Sequence, residues 1–271
     1  MKIKSITSIN NHRVKSWAQF KKGSFRNRSP LFLVEGLKEC IRGIDSAFLC
    51  REVILCEDIL DKALQQELFR KLDPECEVYT VSKQIYAKLA YREDTEGLIA
   101  VFEKKQNDLD ALVLNKGSNY FIILENLEKP GNLGAILRTA DAVKANAIIL
   151  TGSGTDQYNP NVIRASLGTV FSVPVIKTQN EKVLEWAKKN NISLYSAALP
   201  AFKNFYDFEM SGSTACIFGA EDTGLTDYWI KNADITFTLP MNGIADSLNL
   251  SVSVAVVSYE FIRQQQVHKK L

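Results

Sequence analysis

The stretch YFIILENLEKPGNLGAILRTADAVKANAIILT, residues 120–151, predicts the fold of the C-terminal half of this chain. Two continuous apolar runs, YFIIL and AIILT, flank a segment whose apolar residues recur at the spacing of a helix. Strands that are apolar on both faces and are joined by helices are typical of a parallel sheet that is covered on both sides. We therefore predict an α/β domain, whose sheet is extended by the later apolar runs VPVIK, ISLYSAA, TACIFG and DITFTLP.

Working outward, the pattern divides the chain into four regions. Residues 29–105 alternate short apolar runs with helical segments, which predicts a smaller N-terminal α/β domain. The polar residues 106–119 are predicted to form a linker, and residues 120–271 form the second domain. Residues 1–28 form an N-terminal arm, in which SWAQFKK predicts a short helix and KKGSFRNRSP predicts a flexible link.

Charge is unevenly distributed along the chain. The 271 residues include 33 Lys and Arg and 31 Asp and Glu, and the net charge of +2 gives little indication of a partner. Residues 1–28, however, carry eight basic residues and no acidic residue, which leaves −6 for the remaining residues. The N-terminal arm is therefore strongly basic, and this points to an anionic partner.

Composition also excludes several classes of function. The two histidines, His12 and His268, lie close to the termini, so a serine or cysteine triad with a histidine base is not expected. Five cysteines without a CxxC pair predict buried thiols in a reducing cytosol and no metal site. No apolar run reaches the roughly 18 residues of a membrane span, and no apolar run follows the basic start. We predict a cytoplasmic protein without membrane or metal partners.

Three motifs follow predicted strands of the second domain, where parallel α/β sheets build their sites. In the first, a strand runs into a Pro-Gly turn and then a helix, on which Arg138 stands one turn beyond Gly134 and could reach a phosphate. Taken alone, Arg138 is better explained as a solvated surface residue. In the second, IFGAEDTGL, Gly219 and Gly224 would let the backbone approach a ligand closely, or would merely shape a turn around Glu221.

The third motif is LPMNGIADSLNLSVSV, residues 239–254. Its period-two alternation suggests a strand, but the absence of Gly and Pro from Leu248 onward favours a long helix. We expect this helix to have an apolar stripe, and Ser247 and Asn249 to lie at its N-terminus, where one of them would act as the cap. The predicted stripe consists of Leu248, Val252, Ala255, Val256, Tyr259 and Ile262.

Two weaker signals concern the loops between these motifs. Asn159-Pro160 predicts the start of a helix through Ala165, and Gly168 either caps its end or leaves Arg164 on an RNA-binding face. Gly152-Ser153-Gly154 superficially resembles a nucleotide-binding loop. Neither GxGxxG nor GxxxxGK[ST] is present, however, so a nucleotide-dependent dehydrogenase and a P-loop enzyme are disfavoured.

Taken together, the three motifs resemble a known family. N-x-G-A-I-x-R-T-A (132–140), F-G-x-E-x-x-G-L (218–225) and L-P-M-x-G-x-x-x-S-L-N-x-S-V (239–252) look like the signature motifs of the SpoU/TrmH family. Members of this family are S-adenosylmethionine-dependent RNA ribose 2′-O-methyltransferases of the SPOUT class. Residues 29–105 resemble the ribosomal-protein-like substrate-binding domain of larger members, which often methylate large-subunit rRNA. Two positions depart from the pattern, with Lys129 in place of aspartate and Leu250 in place of valine.

The resemblance implies a deep trefoil knot at the C-terminus of the second domain, S-adenosylmethionine bound within it, and a site that is completed across a homodimer. It implies cofactor contacts at Gly219, Leu239, Met241 and Leu248. It also implies that Arg138 lies at the catalytic centre. We expect Arg138 to hold the adjacent RNA phosphate and to stabilise the developing oxyanion, while that phosphate or a water takes the proton. The expected orienting residues are Asn132, Glu221, Ser247 and Asn249.

The basic arm and the N-terminal domain are expected to select the RNA, because phosphate contacts supply affinity and the folded RNA supplies a shape. The expected RNA contacts are Arg26, Arg28, Arg138 and Arg164. The additional N-terminal domain favours large-subunit (23S-type) rRNA over tRNA as substrate. A tRNA methyltransferase, or a non-catalytic RNA-binding or ribosome-assembly factor with the same fold, remains the alternative.

Overall fold

The computed structural model describes residues 3–92, 96–199 and 203–268, and the chain divides into two compact units. One unit comprises Met1–Lys105 with Asp156–Ser172, and the other comprises Gln106–Thr155 with Val173–Leu271. Residues 156–172 thus group with the first unit, although the predicted boundary assigned them to the second. The first two residues of the predicted arm lie outside the described part of the chain.

The strands of the described residues are β1 (Ile3–Ile6), β2 (Leu31–Glu35), β3 (Cys50–Leu55), β4 (Glu77–Val81), β5 (Leu98–Glu103), β6 (Tyr120–Glu125), β7 (Ala147–Thr151), β8 (Val175–Thr178), β9 (Ser193–Ala197), β10 (Lys203–Asn204), β11 (Thr214–Phe218) and β12 (Ile235–Thr238). The α-helices are α1 (His12–Gln19), α2 (Gly23–Arg28), α3 (Leu37–Asp45), α4 (Lys62–Lys71), α5 (Lys83–Leu89), α6 (Pro130–Ala142), α7 (Pro160–Ala165), α8 (Asn180–Lys189), α9 (Asp227–Asn232) and α10 (Leu250–His268).

The first unit is built on a five-stranded mixed sheet in the order β1-β4-β3-β5-β2. Strands β1, β4 and β3 are parallel, whereas β5 runs antiparallel to both β3 and β2. The side chains of Ile54, Tyr79 and Val101 are buried against Trp17 of α1 and Tyr86 of α5. This arrangement confirms that residues 29–105 form an α/β fold, and it adds elements from outside that range.

The basic arm is an integral part of the first unit. Strand β1 pairs with β4 at the edge of the sheet, and α1 buries Val14 and Trp17. The prediction of a flexible link is wrong, because the segment forms α2. Arg26 of α2 is only 5% exposed, and its guanidinium donates to Asp156 and to the carbonyl oxygen of Phe20. The arm is therefore anchored by apolar burial and by an ion pair whose arginine is buried.

Helix α7 starts and ends as the sequence predicts. Asn159 caps it by accepting the amide of Asn161 at 2.9 Å, and Pro160 occupies the first turn. Gly168 follows with a φ of 82°, and its amide donates to the carbonyl of Ile163 at 3.2 Å. Leu167, with a φ of 53°, occupies the left-handed position directly after the cap residue Ser166. The prediction that Gly168 holds this position is therefore off by one residue, and Gly168 closes the motif through its amide.

The second unit contains a seven-stranded parallel sheet in the order β10-β12-β9-β11-β6-β7-β8. All residues of β6, β7 and β11 are buried, which confirms the interpretation of their apolar runs as strands covered on both faces. Because the strands are parallel, the loops that follow β6, β11 and β12 emerge at one edge of the sheet. The second and third motifs lie largely in the loops after β11 and β12, and the first lies in α6, which follows the loop after β6.

Helix α6 packs on this sheet with the face that its sequence predicts. The side chains of Leu133, Ile136, Leu137 and Ala140 are fully buried, and Val143 lies at its C-terminal end. Burying a large aliphatic side chain contributes about 1.5–3 kcal/mol, so this stripe fixes the rotation of the helix about its axis. Pro130 and Gly131 are the first residues of the helix and do not form the predicted turn before it.

Helix α10 is confirmed as a helix, but its buried face is not the predicted one. Leu250, Val254, Val257 and Phe261 are buried, at the spacing of one helical stripe. Val252 and Tyr259 of the predicted stripe are 47% and 58% exposed. The sequence of this helix contains two apolar stripes, and the structure buries the one centred on Val254.

The predicted linker has no helix or strand, yet it is held against the second unit. Leu109 is buried in the core of this unit, and Leu112 and Leu114 pack against that core. The side-chain amide of Asn119 is buried, and its Nδ2 donates hydrogen bonds to the carbonyl oxygens of Asn115 and Gly117. Residues 106–119 are therefore ordered by both apolar and polar contacts.

The five cysteines are buried and free, as predicted. Burial raises the pKa of Cys216 in β11 to about 12, so this thiol is not a nucleophile at neutral pH. In the described residues, no helix has the length and apolar character that crossing a membrane requires. The same residues contain no group of three or more His, Cys, Asp and Glu side chains that could hold a metal ion.

Candidate active site at the carboxyl edge of the second sheet

A cavity of about 510 Å³ opens where the loops after β9, β11 and β12 meet the start of α10. Its apolar lining includes Leu225, Ile230 and Phe237, and its polar lining includes Glu221 and Asp246. The volume and the mixture of apolar walls with a few polar groups are typical of a small-molecule site. The cavity is also lined by all four residues expected to contact the cofactor, Gly219, Leu239, Met241 and Leu248.

The carboxylate of Glu221 connects the three motifs. Its Oε1 accepts a hydrogen bond from Nδ2 of Asn132 at 2.6 Å and another from Nδ2 of Asn249 at 2.8 Å. Its Oε2 forms an ion pair with Lys129, the residue that departs from the family pattern. One carboxylate thus accepts hydrogen bonds from the first and third motifs and is neutralised by a neighbouring cation.

Asn249 holds its orientation because it also caps α10. Its Oδ1 accepts hydrogen bonds from the backbone amide of Ser251 at 3.0 Å and from the Ser251 hydroxyl at 2.7 Å. The amides of Val252 and Ser253 donate to its backbone carbonyl. Because the side-chain oxygen is used by the helix, the NH₂ group faces Glu221 and Asn132. Ser247, the other candidate cap, is exposed and lines the cavity.

The loop of the second motif is closed by its own backbone. Ala220 and Gly224 form an isolated antiparallel bridge, with the Gly224 amide 2.9 Å from the Ala220 carbonyl oxygen. A Cβ at Gly219 would lie 2.1 Å from the carbonyl carbon of Gly224, and Gly224 itself has a φ of 68°. Gly219 is therefore required for an approach of the chain to itself, which differs from the expected approach of a ligand.

Glu125, which the sequence analysis did not single out, anchors the end of the same loop. This carboxylate, at the end of β6, accepts a hydrogen bond from the backbone amide of Thr226 at 2.8 Å and another from the Thr226 hydroxyl at 2.9 Å. Glu125 also accepts a hydrogen bond from Nδ2 of Asn180 at 2.7 Å. Its side chain is almost completely buried. An acidic residue that ends an otherwise apolar strand was the available signal for this role.

Arg138 does not join the Glu221 cluster. It lies six residues beyond Asn132 on α6, which corresponds to about 9 Å along the helix and about 120° around it. Its side chain is exposed, and within the described residues it makes no hydrogen bond or ion pair. The structure therefore brings together Asn132, Glu221 and Asn249, and it leaves Arg138 free on another face of the helix.

The arginines expected to bind RNA differ in their availability. Arg26 is buried and paired with Asp156, so its guanidinium is not available to RNA and the prediction of an RNA contact there is wrong. Arg28 is exposed and its Nε donates to the carbonyl oxygen of Ser24. Arg164 is exposed in the last turn of α7.

Comparison with known proteins gives two family matches. Residues 119–259 match the model of the SpoU rRNA Methylase family, which covers more than half of the chain. Residues 11–100 match the model of the MRM3-like substrate binding domain.

Individual relatives match over nearly their whole length. The 23S rRNA (guanosine(2553)-2′-O)-methyltransferase RlmP of Bacillus subtilis is 24% identical, over 95% of this chain and 98% of the relative. The 23S rRNA (guanosine-2′-O-)-methyltransferase RlmB of Haemophilus influenzae is 31% identical, over 79% and 89%. The crystal structure of the SpoU methyltransferase AviRb from Streptomyces viridochromogenes, in complex with the cofactor AdoMet, superposes with a TM-score of 0.85 at 25% identity. That superposition covers 94% of this chain and 98% of AviRb.

Proposed function

Because this chain belongs to the SpoU rRNA methylase family, we propose that it methylates a ribose 2′-hydroxyl in large-subunit (23S-type) rRNA, with S-adenosylmethionine as the methyl donor. The observation that carries this proposal is the convergence of the three motifs on Glu221, beside a cavity of ligand size. RlmP and RlmB are named as 23S rRNA methyltransferases, and this supports rRNA over tRNA as the substrate.

The cavity fits a cofactor of this type. Leu239, Met241 and Leu248 supply apolar surface for an adenine ring, while the carboxylate of Asp246 supplies an acceptor for a ribose hydroxyl or an ammonium group. The self-closed turn at Gly219 presents bare backbone toward the same space. S-adenosylmethionine would supply a methyl group on a positively charged sulfur, ready for attack by an oxygen nucleophile.

The residues of the chain then have to align the ribose and assist loss of its proton. No histidine lies in this region, since the only two are His12 and His268. Arg138 resists deprotonation, so its role is to bind the neighbouring phosphate in a bidentate manner and to stabilise the developing oxyanion. Asn132 and Asn249, fixed by Glu221, orient the ribose, and Ser247 can donate or accept a hydrogen bond at the mouth of the cavity.

The same proposal includes a homodimer. The exposed stripe of α10 contains Val252 and Tyr259, together with the partly buried Val256 and Ile262, and an apolar face of this kind favours a protein interface. Arg138 points away from the cluster of its own chain. We therefore propose that Arg138 of the partner subunit completes each cavity, so that neither protomer is active alone.

Two further features belong to the proposal. The C-terminal segment is proposed to form a trefoil knot, and return of α10 to pack on α6 after β12 is consistent with such a path. Stretching a single molecule from its termini should then leave a tightened core, and a full extension to the contour length would exclude the knot. The buried free thiols and the rRNA substrate support a cytoplasmic location.

Mapping 2′-O-methyl positions in total RNA from cells with and without the gene tests the function. The proposal predicts one position in 23S rRNA that loses its methyl group and regains it with a plasmid copy. Loss of a tRNA position instead would support the tRNA alternative. Unchanged methylation of all RNA would favour the non-catalytic RNA-binding or assembly factor.

A further inference from the structure

A small notch in the first unit brings together side chains from three elements. Leu33 and Glu35 of β2 form its floor, Tyr91 and Arg92 follow α5, and Arg164 comes from the last turn of α7. Of these residues, only Arg164 belongs to a segment whose sequence predicts RNA binding. The other four are brought to it by the fold, from about 70 to 130 positions away in the sequence.

Two arginines and one carboxylate line this notch among the described residues. Arg92 and Arg164 are both exposed, and neither forms a hydrogen bond or ion pair through its side chain with any residue that the structure describes. The acidic group in the lining is Glu35, whose carboxylate is half-buried, and burial raises its pKa. A floor carboxylate of this kind neutralises at most part of the charge, so the rim favours an anion.

Tyr91 stands beside these arginines with its ring in solvent. The side chain is 46% exposed, although a tyrosine is among the residues that gain most from burial. Its position is fixed through the backbone, because the Tyr91 amide donates to Oε2 of Glu35 at 2.8 Å. The carboxylate therefore holds an exposed aromatic ring at the edge of a basic rim.

An exposed aromatic ring and two exposed guanidinium groups on one notch fit the chemistry of an unpaired nucleotide, whose base stacks and whose phosphates accept charged hydrogen bonds. We propose that Tyr91, Arg92 and Arg164 form a subsite for a single-stranded nucleotide of the RNA substrate. Tyr91 stacks on the base, and the two arginines bind the flanking phosphates. This inference rests on the proposed function, because it assumes that the ligand of the first unit is RNA.

The subsite contributes to RNA binding and takes no part in methyl transfer. Variants should therefore raise the KM for RNA while kcat at saturating RNA and the affinity for S-adenosylmethionine stay unchanged. Tyr91→Ala should weaken binding of a 23S rRNA fragment about tenfold, whereas Tyr91→Phe, which keeps the ring, should bind like the wild type. Arg92→Gln and Arg164→Gln should each reduce the slope of log affinity against log salt by about 1.

Matched controls come from elsewhere in the chain. Tyr206→Ala removes another exposed tyrosine, and Arg70→Gln removes an exposed arginine from α4, so both should leave RNA binding unchanged. Wild-type affinity and salt slope in Tyr91→Ala, Arg92→Gln and Arg164→Gln would overturn the subsite. An equal loss in Tyr91→Phe and Tyr91→Ala would overturn the stacking.

Failure of the subsite can be distinguished from failure of the proposed function. If the wild-type chain methylates 23S rRNA and the three variants bind like the wild type, the subsite alone is wrong. If the wild-type chain binds the fragment in a Tyr91-dependent manner without methylating any RNA, the methyltransferase proposal is wrong and the subsite stands.

Discussion

Nδ2 of Asn249 lies 2.8 Å from Oε1 of Glu221, and this hydrogen bond ties the first residue before α10 to the loop after β11. The same asparagine caps α10 with its side-chain oxygen. A single side chain therefore couples the start of the C-terminal helix to the candidate active site. The arrangement makes the two functions of Asn249 separable by substitution.

Asn249→Asp should keep the cap and lose the contact to Glu221. Aspartate caps helices as well as asparagine does, but its second oxygen would face the Glu221 carboxylate and repel it. We expect the free energy of unfolding to stay within about 1 kcal/mol of the wild-type value, and the rate of methyl transfer to fall at least tenfold. Differential scanning fluorimetry and a methyl-transfer assay measure the two effects.

Asn159→Asp is the control for this substitution, because Asn159 caps α7 in the same way and its contacts are local. It should leave stability and activity unchanged. Methyl transfer at the wild-type rate in Asn249→Asp would show that the contact to Glu221 does not order the site.

Gly219→Ala should open the loop of the second motif. The added methyl group would lie 2.1 Å from the carbonyl carbon and 2.2 Å from the carbonyl oxygen of Gly224, and backbone cannot give way as a flexible side chain can. We expect a loss of about 1–3 kcal/mol in the free energy of unfolding and loss of S-adenosylmethionine binding, measured by urea denaturation and calorimetry.

Gly131→Ala provides the comparison, because a Cβ there has no neighbouring atom within 4 Å and the residue lies in the first turn of α6. It should stabilise the protein by about 0.4–1 kcal/mol. Unchanged cofactor affinity in Gly219→Ala would contradict the proposed closure of the loop.

Local signals in the sequence were sufficient for much of this fold. The apolar runs of β6, β7 and β11 and the stripe of α6 predict buried elements, because each pattern is set by a single period. Strand β1 and helix α2 were missed, since both are short and basic, and their burial depends on partners far away in the sequence. Arg26 shows the consequence, because its partner Asp156 lies 130 residues further along the chain.

The candidate site also has features that the sequence predicts and features that it does not. The three motifs and their residues could be read from the sequence, and the role of Asn249 as a cap follows from local rules. The ion pair between Lys129 and Glu221 joins residues 92 positions apart, so no local pattern predicts it. Helix α10 has two apolar stripes, and periodicity alone cannot say which one the monomer buries and which one it leaves exposed.

Mixing two inactive variants should restore activity if Arg138 completes the cavity of the other protomer. Arg138→Lys and Asn249→Asp homodimers each lack one part of every site, whereas their heterodimer has one site with both parts intact. After subunit exchange we expect about a quarter of the wild-type activity. No recovery, with exchange verified by mass spectrometry of the heterodimer, would place Arg138 and Asn249 in the same protomer's site.

Acid should weaken the attachment of β1 through Glu77. The hydrogen bond from Nζ of Lys4 at 2.5 Å, together with one from the Tyr79 hydroxyl, holds the pKa of Glu77 below its usual range. Because the folded-state pKa is lowered, the stabilisation is present above the unfolded-state pKa of about 4.3 and is lost as pH falls through the folded-state value.

Glu77→Gln should therefore flatten the pH dependence of the urea midpoint below about pH 5. Glu67→Gln, at an exposed position of α4, should leave that dependence as it is in the wild type. The same pH dependence in the wild type and in Glu77→Gln would contradict this role of the Lys4 contact.

The most direct measurement is transfer of labelled methyl from S-adenosylmethionine to 23S rRNA, followed by digestion to nucleosides, for the wild type and Arg138→Lys. The account predicts label in a 2′-O-methylnucleoside. It also predicts a loss of at least about 100-fold in Arg138→Lys with cofactor affinity unchanged, because lysine keeps the charge but not the bidentate geometry. Label on a base, no transfer by the wild type while it binds the cofactor, or a near wild-type rate in Arg138→Lys would contradict it.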